Sequence, residues 1–302
     1  MTKPLILVTG ATGKTGRPVV EQLLERGYPV RTFVHRVDER SRHLSELGAE
    51  VVVGDFHDLP SLRVAMKGIE RAYFCYPPQG GRLLEAAANV AIAARDAGVE
   101  ALVNMSQIIA REDAKSPLSF QHWQSEQVFD WAGIGAVHVN PTFFAEDLYL
   151  FAGPTIAAEG KMYLPFGAER HAPVTAEDIA RVVVAILVDP APHVGRRYVI
   201  TGSENLTLTE MAQILTAELG KPVAYVDLPI EQWRTLLVEK VGFPESLATH
   251  LAAAAQDHRD GLFSVVTDTV ETIAGRPPQS LAAFIRTHGS EFSQGRASAR
   301  AA

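Results

Sequence analysis

Three glycines near the start of the chain have the spacing of a phosphate-binding loop. Gly10, Gly13 and Gly16 follow an apolar run at 5–9 and precede a helical pattern at 17–26. At such a junction the first glycine permits a sharp turn, the second lets a diphosphate approach the main chain, and the third lets the helix pack against the strand. The helix N-terminus then offers N–H groups to the phosphates. The pattern predicts dinucleotide binding; the alternative is that the glycines only form a tight turn.

The end of the second predicted strand distinguishes NAD from NADP. Sites for NAD usually place an acid there for the ribose hydroxyls, whereas an arginine accommodates the 2′-phosphate of NADP. The strand at 30–34 is followed by His35 and Arg36, and the acids Asp38 and Glu39 come later. Arg36 can present a bidentate fork to a phosphate, which favours NADP(H). The alternative is a solvated surface arginine.

The ends of the third and fourth strands supply candidates for the adenosine half. Asp55 is placed to accept a hydrogen bond from the adenine amino group, with Phe56 packing beside the ring. Alternatively, Asp55 caps the next helix, a role for which Asp58 competes. Tyr76 and Pro77 would lie along the cofactor ribose.

A parallel sheet would bring these residues to one edge. Apolar, β-branched runs at 5–9, 30–34, 50–53, 71–76, 101–105 and 136–139 alternate with helical patterns at 17–26, 39–47, 60–66, 81–97 and 116–131. This alternation predicts an α/β fold with a doubly wound parallel sheet, whose ligands bind at the carboxyl ends of the strands.

The pattern becomes less regular after Pro141. Residues 143–160 are read as irregular and helical, with a break at Gly153-Pro154, and a strong helix is predicted at 176–188. We predict a dinucleotide-binding Rossmann domain over 1–142, completed by 176–201. An interleaved, smaller and mostly helical substrate-binding lobe is predicted over 143–290, and a disordered tail over 291–302.

Composition excludes several classes of function. The 302 residues carry a formal net charge of −7, which argues against a nucleic-acid or anionic membrane surface. The single cysteine, Cys75, cannot form an internal disulfide, and the histidines lack metal-site spacing. We expect a cytoplasmic protein without a metal. Its oligomeric state stays open, the predicted helices 81–97 and 116–131 being candidates for pairing between subunits.

Several motifs are similar to those of NmrA-like atypical short-chain dehydrogenases/reductases. They are the loop from Gly10 to Gly16, Arg36, Gly54-Asp55, Pro141-Thr142-Phe143-Phe144, Val174 to Ala180, and Gly275 to Pro278. The pattern most resembles quinone oxidoreductase-like and triphenylmethane reductase-like members. The resemblance implies NADPH-dependent hydride transfer to a quinone or similar electron-poor aromatic acceptor. The family also contains NADP(H)-binding redox sensors that act through protein partners without turnover, which is the alternative function.

The residue patterns and the resemblance together give one set of candidate cofactor contacts. They are Gly10, Thr12, Gly13, Lys14, Thr15, Gly16, Arg36, Asp55, Phe56, Tyr76, Pro77, Gln107, Pro141, Phe143 and Phe144.

The helix after the fifth strand departs from the usual dehydrogenase pattern. Its sequence has His122 and Glu126 where the Tyr and Lys of Tyr-x-x-x-Lys would stand, which argues against ordinary alcohol dehydrogenation. The imidazole of His122 titrates near neutral pH and can donate a proton, and Glu126, one turn later, can orient it. Alternatively, the pair only stabilises the helix or holds the nicotinamide pocket. Ser106 matches the hydroxyl that contacts the substrate carbonyl in related reductases; the alternative is a turn-forming serine.

Overall fold

A computed structural model describes residues 3–78 and 81–293. Within them the chain forms two units. The first comprises 3–114, 118–140 and 179–198, and the second comprises 115–117, 141–178 and 199–293. The units are interleaved along the chain, since the chain leaves the first unit after Asn140 and returns to it at Ile179.

The described residues contain the following strands: β1 (Ile6–Thr9), β2 (Val30–Val34), β3 (Glu50–Val53), β4 (Arg71–Phe74), β5 (Ala101–Met105), β6 (Ala136–Pro141), β7 (Lys161–Leu164), β8 (Arg170–His171), β9 (Arg197–Ile200), β10 (Leu206–Thr207) and β11 (Ala224–Asp227). The main sheet has the order β3-β2-β1-β4-β5-β6-β9. The neighbours among β1 to β6 pair in parallel. The predicted doubly wound sheet is therefore confirmed, and its order reverses between β1 and β4, where α/β proteins bind their ligands.

The described helices are α1 (Gly16–Glu25), α2 (Glu39–Glu46), α3 (Leu59–Met66), α4 (Leu83–Ala97), α5 (Pro117–Ala132), α6 (Ala145–Glu159), α7 (Ala176–Val188), α8 (Leu208–Leu219), α9 (Ile230–Leu236), α10 (Glu245–Arg259), α11 (Thr269–Ala274), α12 (Leu281–Thr287) and α13 (Gly289–Ser293). A π-helical turn, Leu237–Val241, follows α9. Local signals fix several ends: Asp38 caps α2 by accepting a hydrogen bond from the Ser41 N–H, and Gly98 ends α4.

Strand β4 ends earlier than the sequence pattern predicts. The apolar run extends to Tyr76, but β4 stops at Phe74. The N–H of Cys75 donates to the Thr9 hydroxyl at 3.0 Å, and Pro77 and Pro78 have no N–H to offer. A side chain on β1 therefore captures the main chain as it leaves β4.

The second unit contains two small sheets. Strands β7 and β11 pair in parallel, and β8 and β10 pair antiparallel. The predicted break at Gly153-Pro154 is wrong, because α6 runs through both residues. Pro154 removes one helical hydrogen bond, while Gly153 allows α13 to lie close: a Cβ there would be 3.3 Å from the Glu291 carbonyl oxygen. Packing against α13 thus stabilises a helix that local propensity disfavours.

The predicted disordered tail, 291–302, begins inside a helix. Its first three residues belong to α13, where Phe292 is fully buried and its ring lies edge-on to Tyr149 at 5.8 Å. Residues 294–302 lie outside the described residues. Among the helices that the structure describes, none has the length and apolar character needed to cross a membrane. The cytoplasmic location stays a prediction.

Candidate active site

The loop after β1 has the backbone geometry of a phosphate cradle. Gly10 adopts φ +59°, and a Cβ there would lie 2.9 Å from the Cys75 carbonyl oxygen. A Cβ on Gly16 would overlap the Gly10 carbonyl oxygen, whereas one on Gly13 would be 3.1 Å from that same atom. Gly10 and Gly16 therefore have no room for a side chain. The loop fits the main-chain approach that a dinucleotide pyrophosphate requires.

The N-terminus of α1 is left without a side-chain cap. Thr15 stands at the capping position, yet its hydroxyl accepts a hydrogen bond from the Tyr73 hydroxyl at 3.0 Å. Burial raises the pKa of Tyr73, which keeps this donor protonated. The Thr15 side chain is thus turned into the interior. An uncapped helix start is the arrangement that anion-binding helices use.

The cysteine beside the loop has no feature of a catalytic thiol. Burial raises the pKa of the Cys75 thiol, and its Sγ lies 3.8 Å from the Thr15 hydroxyl oxygen. A thiol is reactive where its pKa is lowered. Cys75 therefore acts as packing material under the loop.

The segment after β2 separates its basic and acidic side chains. Arg36 is exposed, and no carboxylate of the described residues pairs with it. Asp38 accepts two hydrogen bonds from Arg40, at 3.1 and 2.8 Å, besides capping α2. The hydrogen bond from Arg40 is the largest cause of a lowered pKa at Asp38. Asp38 is therefore occupied, while Arg36 is exposed. A cleft lies between the glycine loop, α1 and α2. That cleft is lined by Thr12, Arg17, Glu39, Arg40, His43 and Leu44.

Asp55 forms a local turn after β3. Its Oδ1 accepts a hydrogen bond from the His57 N–H at 2.8 Å, and its Oδ2 lies 3.8 Å from Nδ1 of His35. The alternative role as cap of α3 is not what Asp55 does, since Asp58 occupies the capping position. The adenine contact stays a prediction.

Phe56 belongs to an aromatic cluster. Its ring lies 5.4 Å from those of Phe33 and Tyr76 and 5.6 Å from that of Phe74, centroid to centroid. The Tyr76 hydroxyl lies 3.2 Å from Nε2 of His57. These contacts stabilise the carboxyl edge of the sheet from β3 to β4, whether or not a nucleotide is bound.

Buried polar atoms that have no hydrogen-bond partner among the described residues gather where β5 and β6 end. Ser106 follows β5 directly, and its N–H donates to the Val139 carbonyl at 2.9 Å. The hydroxyl of Ser106, Nε2 of Gln107 and Oδ1 of Asn140 are buried and have no hydrogen-bond partner among the described residues. Such groups are rare in folded proteins and call for an explanation.

Helix α5 directs a ladder of polar side chains towards the same strands. Asp130 Oδ1 lies 3.0 Å from Nε2 of His138, whose Nδ1 lies 3.1 Å from Nδ2 of Asn104. One turn earlier, Glu126 contacts Asn140. His122 lies a further turn back and is partly buried. The ladder therefore leads along α5 towards the carboxyl edge of the sheet.

Glu126 does not perform the predicted orientation of His122. Its Oε1 accepts a hydrogen bond from Asn140 at 2.8 Å, and its Oε2 lies 2.7 Å from Nη2 of Arg197. No other described residue makes a polar contact with this carboxylate. Sequence reasoning missed Asn140 and Arg197. A signal for Asn140 was present, because polar residues at every second position of the buried strand β6 face α5.

Pro141, Phe143 and Phe144 lie in the second unit. Phe143 is buried against Phe166 and His258, with ring centroids 5.6 and 5.5 Å away, while Phe144 precedes α6 as its capping residue. The Phe143 carbonyl accepts a hydrogen bond from Val174 at 3.0 Å. The Phe143 ring thus packs in a core, and its predicted cofactor contact stays untested.

Two buried imidazoles adjoin Phe143 in the second unit. His258 is stacked between Phe166 and Phe263, at 3.9 and 3.6 Å, and its ring lies 4.7 Å from that of His171. Burial lowers the pKa of His171 to about 4 and that of His258 well below its ordinary value. Both imidazoles are therefore neutral at neutral pH.

The doubly wound sheet, with a glycine cradle at the end of β1, defines a dinucleotide-binding protein of the Rossmann class. The chain belongs to the NmrA-like family, whose model matches residues 2–273. The family predicted from its motifs is thereby confirmed.

Similar proteins cover nearly the whole chain. An NAD(P)H azoreductase of Xenophilus azovorans is 32% identical over 294 residues, which are 95% of this chain and 99% of that protein. The Citrobacter sp. triphenylmethane reductase complexed with NADP(H) is 26% identical, covers 93% of this chain and 99% of its own, and gives a TM-score of 0.82. The NADPH-dependent quinone oxidoreductase QOR2 of Escherichia coli, complexed with NADPH, is 26% identical, with coverages of 94% and 99% and a TM-score of 0.83.

Proposed function

We propose that this protein transfers hydride from NADPH to a quinone or a similar electron-poor aromatic acceptor. The chain is an NAD(P)H-dependent oxidoreductase, in agreement with the names of the proteins similar to it. The structural observation that carries the proposal is the glycine cradle, in which Gly10 and Gly16 leave no space for a Cβ beside an uncapped helix start.

The choice of NADPH rests on the segment after β2. Arg36 is exposed and unpaired among the described residues, whereas the nearest acid, Asp38, is held by Arg40 and by the start of α2. An acid that served the ribose hydroxyls of NAD would have to leave both partners. A free guanidinium, in contrast, matches a 2′-phosphate. We assign the 2′-phosphate to the exposed guanidinium of Arg36.

The reacting end is assigned to the carboxyl ends of β5 and β6. The bound nicotinamide supplies the hydride, and the protein orients donor and acceptor. We assign Ser106 and Gln107 to contact with the reacting groups, because their side chains have no other partner among the described residues. We assign His122 to proton delivery, since it continues the α5 ladder towards this edge and imidazole titrates near neutral pH.

The class of acceptor follows from what α5 lacks. With no Tyr-x-x-x-Lys on this helix there is no activated phenol to protonate an alkoxide. Quinones and cationic dyes accept hydride without such a group. The names of the similar proteins, an azoreductase, a quinone oxidoreductase and a triphenylmethane reductase, support the same class.

The test is an acceptor panel with the purified protein. Oxidation of NADPH is followed by absorbance with benzoquinones, naphthoquinones, azo dyes and triphenylmethane dyes, and NADPH affinity is measured by calorimetry. We expect turnover with at least one quinone and a preference for NADPH over NADH. Tight NADPH binding without turnover of any acceptor would reject the proposal and favour the redox-sensor alternative.

A further inference from the structure

Glu126 is a buried carboxylate whose charge is paired within the first unit. It is 1% exposed, and the Arg197 guanidinium lies 2.7 Å from its Oε2. Its Oε1 accepts a hydrogen bond from Nδ2 of Asn140 at 2.8 Å. A buried carboxylate without such partners would be costly. Arg197 and Asn140 therefore fix Glu126 in one position, and Glu126 in turn fixes Asn140.

The two hydrogen-bond acceptors around the Asn140 amide determine its orientation. Nδ2 lies 2.8 Å from the Glu126 carboxylate and 3.1 Å from the Gln107 carbonyl oxygen. Neither of these groups can donate a hydrogen bond, so the NH₂ group must face both. The amide oxygen is consequently left buried without a partner among the described residues. Burying that oxygen without a partner destabilises the fold. An apolar residue at this position would avoid that cost. The two hydrogen bonds that Nδ2 donates therefore explain why the residue is an asparagine.

The Gln107 carbonyl that Asn140 holds closes a tight turn. It also accepts a hydrogen bond from the Ala110 N–H at 3.0 Å. One residue earlier, the Ser106 N–H is bonded to the Val139 carbonyl at 2.9 Å. The main chain leaving β5 is thus tied to β6 twice in succession, first by the backbone of Val139 and then by the side chain of Asn140.

We propose that Asn140 is a positioning residue of the hydride-transfer site, which holds the Ser106–Gln107 segment through the Gln107 carbonyl under the control of Glu126. This inference rests on the proposed function, in which Ser106 and Gln107 contact the reacting groups. Asn140 acts through the main chain, because its NH₂ group is engaged by the Gln107 carbonyl and by Glu126. Glu126 is assigned to the same support and not to the imidazole of His122.

The test compares Asn140→Asp with a matched control, Asn104→Asp. In Asn140→Asp a second carboxylate faces Glu126 and the Gln107 carbonyl, so at pH 8 it repels both. At pH 6 a larger fraction is protonated, because two facing carboxylates raise the pKa of one of them, and the protonated group can donate one hydrogen bond. Asn104 lies opposite His138, which is two residues before Asn140 on β6, and its amide contacts that imidazole. A carboxylate at 104 meets a protonatable ring and leaves the Gln107 turn intact.

The first measurement is amide hydrogen exchange in the cofactor-free proteins, over the peptide that contains the Ala110 N–H. For Asn140→Asp at pH 8 we expect exchange about tenfold faster than in the wild type after correction for pH, with Asn104→Asp unchanged. Unchanged protection of Ala110 in Asn140→Asp would overturn the proposal, whether or not the wild type shows any turnover. This readout therefore separates the failure of the inference from the failure of the proposed function.

The second measurement is turnover with a quinone at saturating NADPH. We expect kcat of Asn140→Asp to fall by about tenfold at pH 8 and to recover partly at pH 6, relative to the wild type at each pH. The dissociation constant of NADPH should change by less than about threefold, because the phosphate cradle is untouched. Equal kcat values for variant and wild type at pH 8 would contradict the proposal.

A variant without buried charge covers the case in which Asn140→Asp does not fold. Asn140→Ala leaves the Glu126–Arg197 pair intact and removes only the two donated bonds. We expect faster exchange at Ala110 and a pH-independent fall in kcat of about threefold to tenfold. Wild-type exchange and kcat in Asn140→Ala would overturn the proposal.

Discussion

Two regions of the carboxyl edge of the sheet in the first unit, the β1 region and the β5–β6 region, are built on opposite principles. After β1, the cradle depends on the absence of side chains at Gly10 and Gly16 and on main-chain geometry. After β5 and β6, the edge depends on buried side chains, three of which have polar atoms without a partner among the described residues. Main-chain cradles bind a group common to every dinucleotide, whereas positioned side chains determine what reacts. Substitutions in the β1 region should therefore alter NADPH binding, and substitutions in the β5–β6 region should alter turnover.

The largest expected effect is at Gly16. In Gly16→Ala the new Cβ overlaps the Gly10 carbonyl oxygen, so the helix and the loop must separate. We expect NADPH affinity to fall by about a hundredfold, since displacements near 1 Å have effects of this size. Calorimetric titration measures it. The control is Gly289→Ala, where the nearest atom would be a Leu219 methyl carbon at 3.8 Å. Equal affinities for the wild type and Gly16→Ala would remove the basis for calling the loop a cradle.

Arg36→Ala should produce the next largest effect and should discriminate between cofactors. A lost hydrogen bond between charged groups is worth about 1.5–3 kcal/mol, so NADPH affinity should fall by about tenfold to a hundredfold. NADH affinity should stay within about twofold, because NADH has no 2′-phosphate. Arg42→Ala, at an exposed arginine inside α2 and six residues further along the chain, is the matched control. Parallel losses for NADPH and NADH would show that Arg36 does not read the 2′-phosphate.

His122→Ala tests the β5–β6 region of the comparison. Loss of a proton donor should lower kcat with a quinone by about tenfold, less than general acids usually contribute, because the acceptor is already electron-poor. The NADPH dissociation constant should not change. Stopped-flow measurement of NADPH oxidation separates the chemical step from product release. An unchanged rate of that step would remove His122 from the reaction.

The smallest expected effect extends the comparison to buried polar groups of the second unit. The pKa of His171 is lowered to about 4 by burial, below its unfolded value. The unfolded state therefore binds more protons, and stability is lost as pH falls from about 6.5 towards 4. Between pH 7 and 5 the wild type should lose about 1–2 kcal/mol more stability than His171→Phe. Urea denaturation at the two pH values measures this difference. Parallel losses in both proteins would show that His171 does not titrate with unfolding.

The sequence predicts the β1 region of the sheet edge better than the β5–β6 region, for a physical reason. The cradle is local: strand, glycines and helix follow one another, so the spacing of Gly10, Gly13 and Gly16 carries the geometry. The doubly wound parallel sheet also follows from the alternation of strands and helices. The partner of Glu126 is not local in sequence. Arg197 follows segment 141–178, which belongs to the second unit. Helical spacing suggested His122 instead, as i,i+4 neighbours share a face. Only the fold decides between them.

Two elements of the second unit also cannot be predicted from the local sequence pattern. Strand β7 begins just after the stretch 143–160 and is not predicted from the sequence, because its pairing with β11 involves residues far along the chain. The continuity of α6 through Pro154 depends on α13 in the same way. In both cases tertiary packing overrides local propensity.

The interleaving of the two units has a consequence for how the chain can be synthesised and divided. Arg71 at the start of β4 donates to the carbonyls of Leu187 and Val188, the last residues of α7, at 2.8 Å each. Those acceptors leave the ribosome only after the second-unit segment 141–178 has been made. A nascent chain that ends after β6 therefore has six strands, and its Arg71 can pair with Glu100 but lacks the two carbonyl acceptors. The first unit cannot be obtained by truncation at Asn140; a gene for it alone would need 118–140 joined directly to 179–198.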